Sequence, residues 1–472
     1  MERIETDLLV IGAGSGGLSV AAGAARMGAR VVLLEGGRMG GDCLNAGCVP
    51  SKALLAAAHA AHAHTRAAGF GMTATAPRID FSAVRDHVAN VVARIAPHDS
   101  EERFAGLGVK VIREYGAFVS DREVEAGAYR INARRTVIAT GSSPLIPPIA
   151  GLGAVPYLTN ESLFELRERP GHLLILGGGP IGIEMAQAHA RLGCKVTVIE
   201  GVRALGREDP ELVAVVLARL RAEGVEIAED AMAARVHGRP GRIAIDTRDG
   251  RRLAGTHLLV AVGRRANTAA LNLDAAGIEA TETGIRVDAR LRTTNRRVHA
   301  IGDVAGGAQF THLAGYHAGV VLRSVLFGLP VRARGDHIAR VTYTDPELAQ
   351  VGLTEAEARE RHGSRLEVVR VEMAAIDRAM ACRDAEGFIK VMVVRGRPVG
   401  ASIVGAGAGE QIGLWALAIS AGLGMRHVAG MVAPYPTVSE IGKRAAGAYF
   451  SPRLFDNPRL RTIVGLVQRW LP

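Results

Sequence analysis

Cysteine is scarce, with four residues in a chain of 472. So few cannot cross-link a protein of this length into a disulfide framework, and in a reducing compartment a close pair points to catalysis, redox sensing or metal binding. Aromatic residues make up only 4%, against 58 glycines and an apolar content of 48%. That balance excludes a disordered chain and suits an α/β protein with many tight turns and close backbone approaches. No apolar run reaches the ~18 residues that a spanning helix needs. Met1-Glu2-Arg3 leads straight toward Leu8-Leu9-Val10-Ile11 with no basic segment, long apolar segment or cleavage site between, so a cytoplasmic protein is expected. The formal charge is +10, yet the basic residues are scattered among acidic ones and no nucleic-acid-binding motif accompanies them. No nucleic-acid partner is expected.

The length is too great for one hydrophobic core, and roughly three domains are anticipated. The first segment reads strand, glycine turn, helix, strand. Asp7 begins the apolar run, Gly12, Gly14 and Gly17 punctuate the turn, and a second strand ends at Glu35. Gly12 permits the tight turn, Gly14 lets backbone approach a pyrophosphate, and Gly17 lets the helix close on the strand. Glu35 stands where a carboxylate can bind a ribose hydroxyl. The pattern recurs with Gly177, Gly179, Gly182 and Glu200, and the interval is identical, 12 to 35 and 177 to 200. Two such units imply two dinucleotides. A carboxylate at the second strand end favours NADH over NADPH, because it would repel a 2′-phosphate, although Arg203 and Arg207 follow close behind.

Between the first unit and the next helix stands Gly40-Gly41-Asp42-Cys43-Leu44-Asn45-Ala46-Gly47-Cys48-Val49-Pro50-Ser51-Lys52. A turn over Asn45 to Gly47, leading into a helix with proline in its first turn, brings the two sulfurs within disulfide reach. The helix dipole and free N–H groups then favour a thiolate at Cys48. This run resembles the redox signature of the class I pyridine nucleotide-disulfide oxidoreductases, the family of dihydrolipoamide dehydrogenase, glutathione reductase and mercuric reductase. The resemblance extends through about residue 450. It implies a bound FAD, with Cys48 as the thiol contacting the flavin and Cys43 as the interchange thiol meeting the substrate. It also implies Lys52 near flavin N5, paired with Glu184.

Thr136 to Gly141 and Leu259 to Arg264, with Gly263 between, resemble the family's two crossings between its FAD and NAD domains. Val298 to Asp303 resembles the second FAD motif, in which Asp303 holds the ribityl chain. The resemblance thus implies two Rossmann-like dinucleotide-binding domains and a C-terminal α+β dimerisation domain. Residues 1–150 and 267–334 form the FAD and central parts, 151–266 the NAD(P) domain, 335–450 the interface domain and 451–472 a basic amphipathic tail. A homodimer is expected.

One departure concerns the substrate base. Where the family's disulfide reductases have His-Pro-Thr-x-x-Glu, this chain has Tyr435-Pro436-Thr437-Val438-Ser439-Glu440. Tyrosine titrates near pH ~10 and is a poor base at neutrality, whereas histidine, near ~6.5, is suited. Mercuric reductases are similar in having tyrosine there, but they also carry a C-terminal cysteine pair, and no cysteine follows Cys382. The expected activity is transfer from NAD(P)H through FAD to the disulfide and on to an electrophilic acceptor, a disulfide or a metal ion. The alternatives are a dihydrolipoamide dehydrogenase, a mercuric-reductase-like metal or quinone reductase, and a redox-sensing flavoprotein without catalysis.

Three further features fall outside that frame. His59 and His62 lie one helical turn apart with His64 displaced, which suits solvated or packing histidines better than a metal site. Cys194 and Cys382 read as incidental thiols. In the tail, Leu460, Ile463, Val464 and Val467 make an apolar stripe flanked by arginines. Docking on its own chain is the expectation, and a membrane surface the alternative.

Overall fold

The computed structural model describes residues 1–471. The chain forms two compact units. The first comprises Met1–Thr65, Thr75–Gly201 and Ala228–Arg334, and the second Arg66–Ala74, Val202–Ile227 and Gly335–Pro472.

In the first unit, strand β1 (Glu2–Ile11) leads through helix α1 (Ser15–Arg26) to strand β2 (Val31–Leu34). The two strands pair in parallel, Leu8 with Val31 and Ile11 with Leu34. On its other side β1 pairs in parallel with Tyr129–Ile138. That strand is long enough to take two neighbours, an antiparallel hairpin strand, Glu123–Ala126, along one half and Val298–Ala300 in parallel along the other. Leu8, Leu9, Val10 and Ile11 are all buried. Because successive side chains point to opposite faces, Leu9 and Ile11 join one apolar cluster while Leu8 and Val10 join another. A continuous apolar run is thus the signature of a parallel strand covered on both faces.

The second copy of the pattern builds its own parallel sheet, with His172–Leu176 between Lys195–Ile199 and His257–Val260. A three-stranded antiparallel sheet of Ala233–Arg239, Arg242–Thr247 and Arg252–Gly255 accompanies it. The segments that follow Thr136–Gly141 and Leu259–Gly263 lie side by side: Ser142–Pro144 pairs with Arg264–Ala266, the Thr140 hydroxyl donates to the Asn267 carbonyl at 2.8 Å, and the Asn267 side-chain amide donates to the Thr140 carbonyl at 3.0 Å.

The second unit holds a five-stranded antiparallel sheet in the order Arg340–Thr342, Glu347–Gly352, Arg397–Gly405, Phe388–Val394, Leu366–Glu372. Helices Ala408–Ser420 and Glu440–Phe455 cover it, burying Trp415, Ile441, Ala445 and Tyr449 against Ile389, Val391 and Ile403. Lys390 is buried in this unit, its ammonium donating to Asp209 at 3.1 Å, Glu211 at 2.6 Å and Glu355 at 2.8 Å.

The final helix, Pro458–Trp470, starts where the Asn457 side chain accepts from the N–H groups of Arg459 and Leu460. None of its residues is buried. Within the single subunit the apolar stripe is not buried. No helix among the described residues is long and apolar enough to cross a membrane.

Candidate active site

Both glycine turns are built to the same close tolerances. Gly12 adopts φ +105°, where a Cβ would lie 2.5 Å from the Ala139 carbonyl oxygen, and a Cβ on Gly17 would lie 1.9 Å from the Gly12 oxygen. Only glycine fits either position. The second copy repeats both clashes, Gly177 against the Ala261 oxygen at 2.4 Å and Gly182 against the Gly177 oxygen at 2.0 Å. Gly14 and Gly179 stand at the N-caps of their helices. The two glutamates match as well. Glu35 accepts from the Ala13 and Gly37 N–H groups, both at 2.7 Å, and Glu200 accepts from the Gly178 N–H at 2.8 Å. Each carboxylate is thereby held against its glycine turn.

A cavity of about 630 Å³ opens along the first turn, lined by Gly12, Gly14, Glu35, Gly41, Thr140 and Gly141 among others. Its backbone approaches are bare of side chains, as a diphosphate at a helix N-terminus requires. The residues present fit a dinucleotide such as FAD.

Cys43 lies in the short helix α2 (Gly41–Asn45), and Cys48 is the first residue of helix α3 (Cys48–Arg66). Both are free thiols here, Cys43 half-buried and Cys48 exposed. Asn45 secures the intervening turn by donating to the carbonyls of Met39 at 2.9 Å and Gly41 at 2.8 Å. The hydrogen bond from the Cys43 thiol, followed by that from Thr311, whose hydroxyl lies 3.3 Å from the sulfur, and by the charge of Lys52, brings Cys48 down to about 6 against the cost of desolvation. Cys43 moves the opposite way, raised by the same hydrogen bond, then by burial and by the charge on Cys48. The pair is thus divided into a thiolate, Cys48, and a proton-bearing partner, Cys43. Lys52, one turn into α3, donates to Glu184 at 2.7 Å, and that carboxylate is almost fully buried. The glutamate fixes the ammonium in place.

Asp303 lies in the turn after Val298–Ala300, and burial raises its carboxyl despite a 2.6 Å hydrogen bond donated by Ser142. Arg264 ties this turn to the cysteine loop. It donates to the Ser142 hydroxyl and carbonyl, each at 2.7 Å, and forms an ion pair with Asp42 at 3.2 Å. Asn160 adds a second tie, donating to Asp42 at 2.9 Å and to the Ala46 carbonyl at 3.0 Å. Gly263, at φ +144°, precedes the arginine. Sequence spacing pointed to none of the partners Asp42, Ser142, Asn160 and Thr311, which come from segments far apart in the chain.

A second cavity, of about 410 Å³, is lined by Cys43 together with Ser15, Ser19, Asp99, Arg103 and Thr311. Burial raises the Asp99 carboxyl, opposed by the charges of Arg103 and His98.

Tyr435 and Glu440 belong to the other unit. The Tyr435 hydroxyl donates to Asp377 at 2.9 Å, and this hydrogen bond raises its pKa further. Glu440 has one carboxylate oxygen with no hydrogen-bond partner among the described residues. Asp377, 58 residues from the tyrosine, gave no signal in sequence. Among the described residues no group of three or more histidine, cysteine, aspartate or glutamate side chains is arranged to hold a metal ion.

Comparison with known proteins agrees with this architecture. The family described as pyridine nucleotide-disulphide oxidoreductase matches residues 6–318, and its dimerisation domain matches 338–446. A mercuric reductase of Streptomyces lividans is 36% identical over 457 residues, covering 94% of this chain and 96% of the relative. A dihydrolipoyl dehydrogenase of Geobacillus stearothermophilus is 34% identical over 455 residues, with 94% and 96% covered. Among solved structures, a Cu(II) complex of the HOCl-induced flavoprotein disulfide reductase RclA from Escherichia coli superposes with a TM-score of 0.84 at 31% identity, covering 93% of this chain and 99% of that one. With doubled glycine turns, a divided cysteine pair and relatives aligned almost end to end, this chain belongs to the pyridine nucleotide-disulphide oxidoreductase family.

Proposed function

We propose that this enzyme passes electrons from NADH to a thiophilic metal ion, or a similar electrophile, that is reduced at Cys43. It is an NAD(P)H-dependent flavoprotein disulfide oxidoreductase using FAD and a nicotinamide, and its dimerisation domain supports a homodimer. The observation that carries the acceptor reading is Tyr435, bonded to Asp377 and raised above the usual tyrosine range. A group protonated at neutrality does not take a proton from a substrate thiol. A metal ion delivered as a thiolate complex has no such proton to lose. Relatives named mercuric reductase and a structural neighbour solved with Cu(II) lend the reading support.

Bound FAD would supply the two-electron relay between nicotinamide and the Cys43–Cys48 disulfide. Gly12, Gly14, Gly17 and Gly141 would leave its diphosphate open to backbone N–H groups, Glu35 would take a ribose hydroxyl and Asp303 the ribityl chain. Gly177, Gly179, Gly182, Glu200 and Gly263 would do the same work for the nicotinamide. A carboxylate already turned toward its own phosphate-binding loop disfavours a 2′-phosphate, hence NADH. Lys52, held by Glu184, keeps positive charge beside the Cys48 thiolate. When the reduced pair gives two electrons to the acceptor, the Cys43–Cys48 bond re-forms and the Cys43 proton leaves.

A second reading, reduction of a small disulfide, is favoured by Asp99. Its raised carboxyl shares the Cys43 cavity and offers the proton exchange that the missing histidine would provide. NADH consumption measured with Hg(II), Cu(II), glutathione disulfide, oxidised lipoamide and a quinone separates the two. Turnover of disulfides with none of metal ions overturns the first reading, and a lower KM for NADPH than for NADH overturns the cofactor preference.

A further inference from the structure

We propose that the C-terminal helix, Pro458–Trp470, docks the enzyme on an anionic lipid surface. On a helix of 3.6 residues per turn, Leu460, Ile463, Val464, Leu466, Val467 and Trp470 share one broad face. Most of that face is exposed among the described residues, with Leu460 half-buried. Ile463 is 53% exposed, Val464 56%, Leu466 52% and Trp470 77%, and Leu454 and Phe455 continue the apolar surface at 52% and 67%. Arg461 and Arg469 lie on the opposite side, Arg459 stands at the N-terminal end of the apolar face, and no acidic residue occurs from Asn457 to Leu471.

These features decide among occupants. The family's dimerisation domain matches only to residue 446, so the helix is an addition beyond it. Pairing with the same helix of a second copy would bring arginines of like charge together. An anionic bilayer instead neutralises the arginines while the apolar face enters the boundary between headgroups and acyl chains. Trp470, near the end of the helix, is the residue type that anchors at that depth.

The test uses full-length holoenzyme with phosphatidylcholine vesicles, with or without equimolar phosphatidylglycerol. Co-sedimentation is expected with the anionic vesicles and not with the neutral ones, weakening as salt is raised. The chain has two tryptophans, and Trp415 is buried at 1% exposure, so a blue shift of emission on vesicle addition reports Trp470 and disappears in Trp470→Phe. Neutralisation of the three arginines by Arg459→Gln, Arg461→Gln and Arg469→Gln together is expected to cut partitioning about 100-fold, with NADH oxidation by a soluble acceptor unchanged. Equal behaviour with both vesicle types overturns the proposal. So does a truncation after Asp456 that dissociates the dimer without altering vesicle binding, which would assign the helix to the partner subunit.

Discussion

The division of the cysteine pair is open to direct titration. Cys48 stands at about 6 against an ordinary 9.0, so at neutral pH it is about 90% thiolate where an ordinary thiol would be about 1%. The largest cause is the Cys43 thiol, and Thr311 and Lys52 add to it. Reduced protein would be titrated anaerobically by ultraviolet thiolate absorbance and by the rate of alkylation at Cys48, assigned by mass spectrometry. A Cys382→Ser background leaves only the redox pair and Cys194, which burial raises to about 12. One thiolate is expected to vanish with a midpoint of about 6 as the pH falls. Cys43→Ala is expected to move that midpoint up toward 9.0, Thr311→Val to move it less, and Cys43→Ser, which keeps a donor, to move it least. The sign follows from the direction of the shift: the thiolate exists above about 6 and is lost below it, so thiol-dependent NADH oxidation should fall about tenfold per pH unit on the acid side. A wild-type midpoint near 9.0, or no change in Cys43→Ala, would refute the reasoning.

Gly12→Ala places a methyl group 2.5 Å from the Ala139 oxygen, a strain of about 1–3 kcal/mol, and the purified protein should retain far less flavin by absorbance. Tyr435→His restores the base that disulfide reductases use and should raise oxidised lipoamide turnover by about 10²- to 10⁴-fold; steady-state kinetics at neutral pH reads the change. Lys390→Met leaves Asp209, Glu211 and Glu355 facing one another without their cation and should cost about 3–5 kcal/mol in urea denaturation. His299 is buried with neither ring nitrogen hydrogen-bonded among the described residues, and burial lowers it to about 4. Its neutral form carries full stability above the unfolded value near ~6.5, and that stability drains at about 1.4 kcal/mol per pH unit as the pH falls toward about 4. His299→Phe should flatten the slope, as thermal denaturation across that range will show.

What the linear chain determined by itself is the set of features that operate within one turn of structure. A glycine that must let a helix touch its strand, a cysteine that begins a helix, and a carboxylate at a strand end are all local demands. Their spacing, 12 to 35 and 177 to 200, survives into three dimensions as matched carbonyl contacts and matched hydrogen bonds to the turns. The unbroken apolar run of β1 likewise reflects a strand covered on both faces.

What only the tertiary structure decided is which distant groups meet. Thr311 reaches Cys48 across 263 residues, and Lys52 reaches Glu184 across 132, the latter expected from family resemblance and not from spacing. Arg264 joins Asp42 to Ser142, and Tyr435 finds Asp377 in place of the glutamate five positions on. The C-terminal stripe has the same periodicity whether it covers a core or faces outward, and its exposure depended on what the rest of the subunit left uncovered. Periodicity and spacing encode neighbours along a helix or strand, whereas these contacts arise only when separate segments are brought together by burial of the sheets between them.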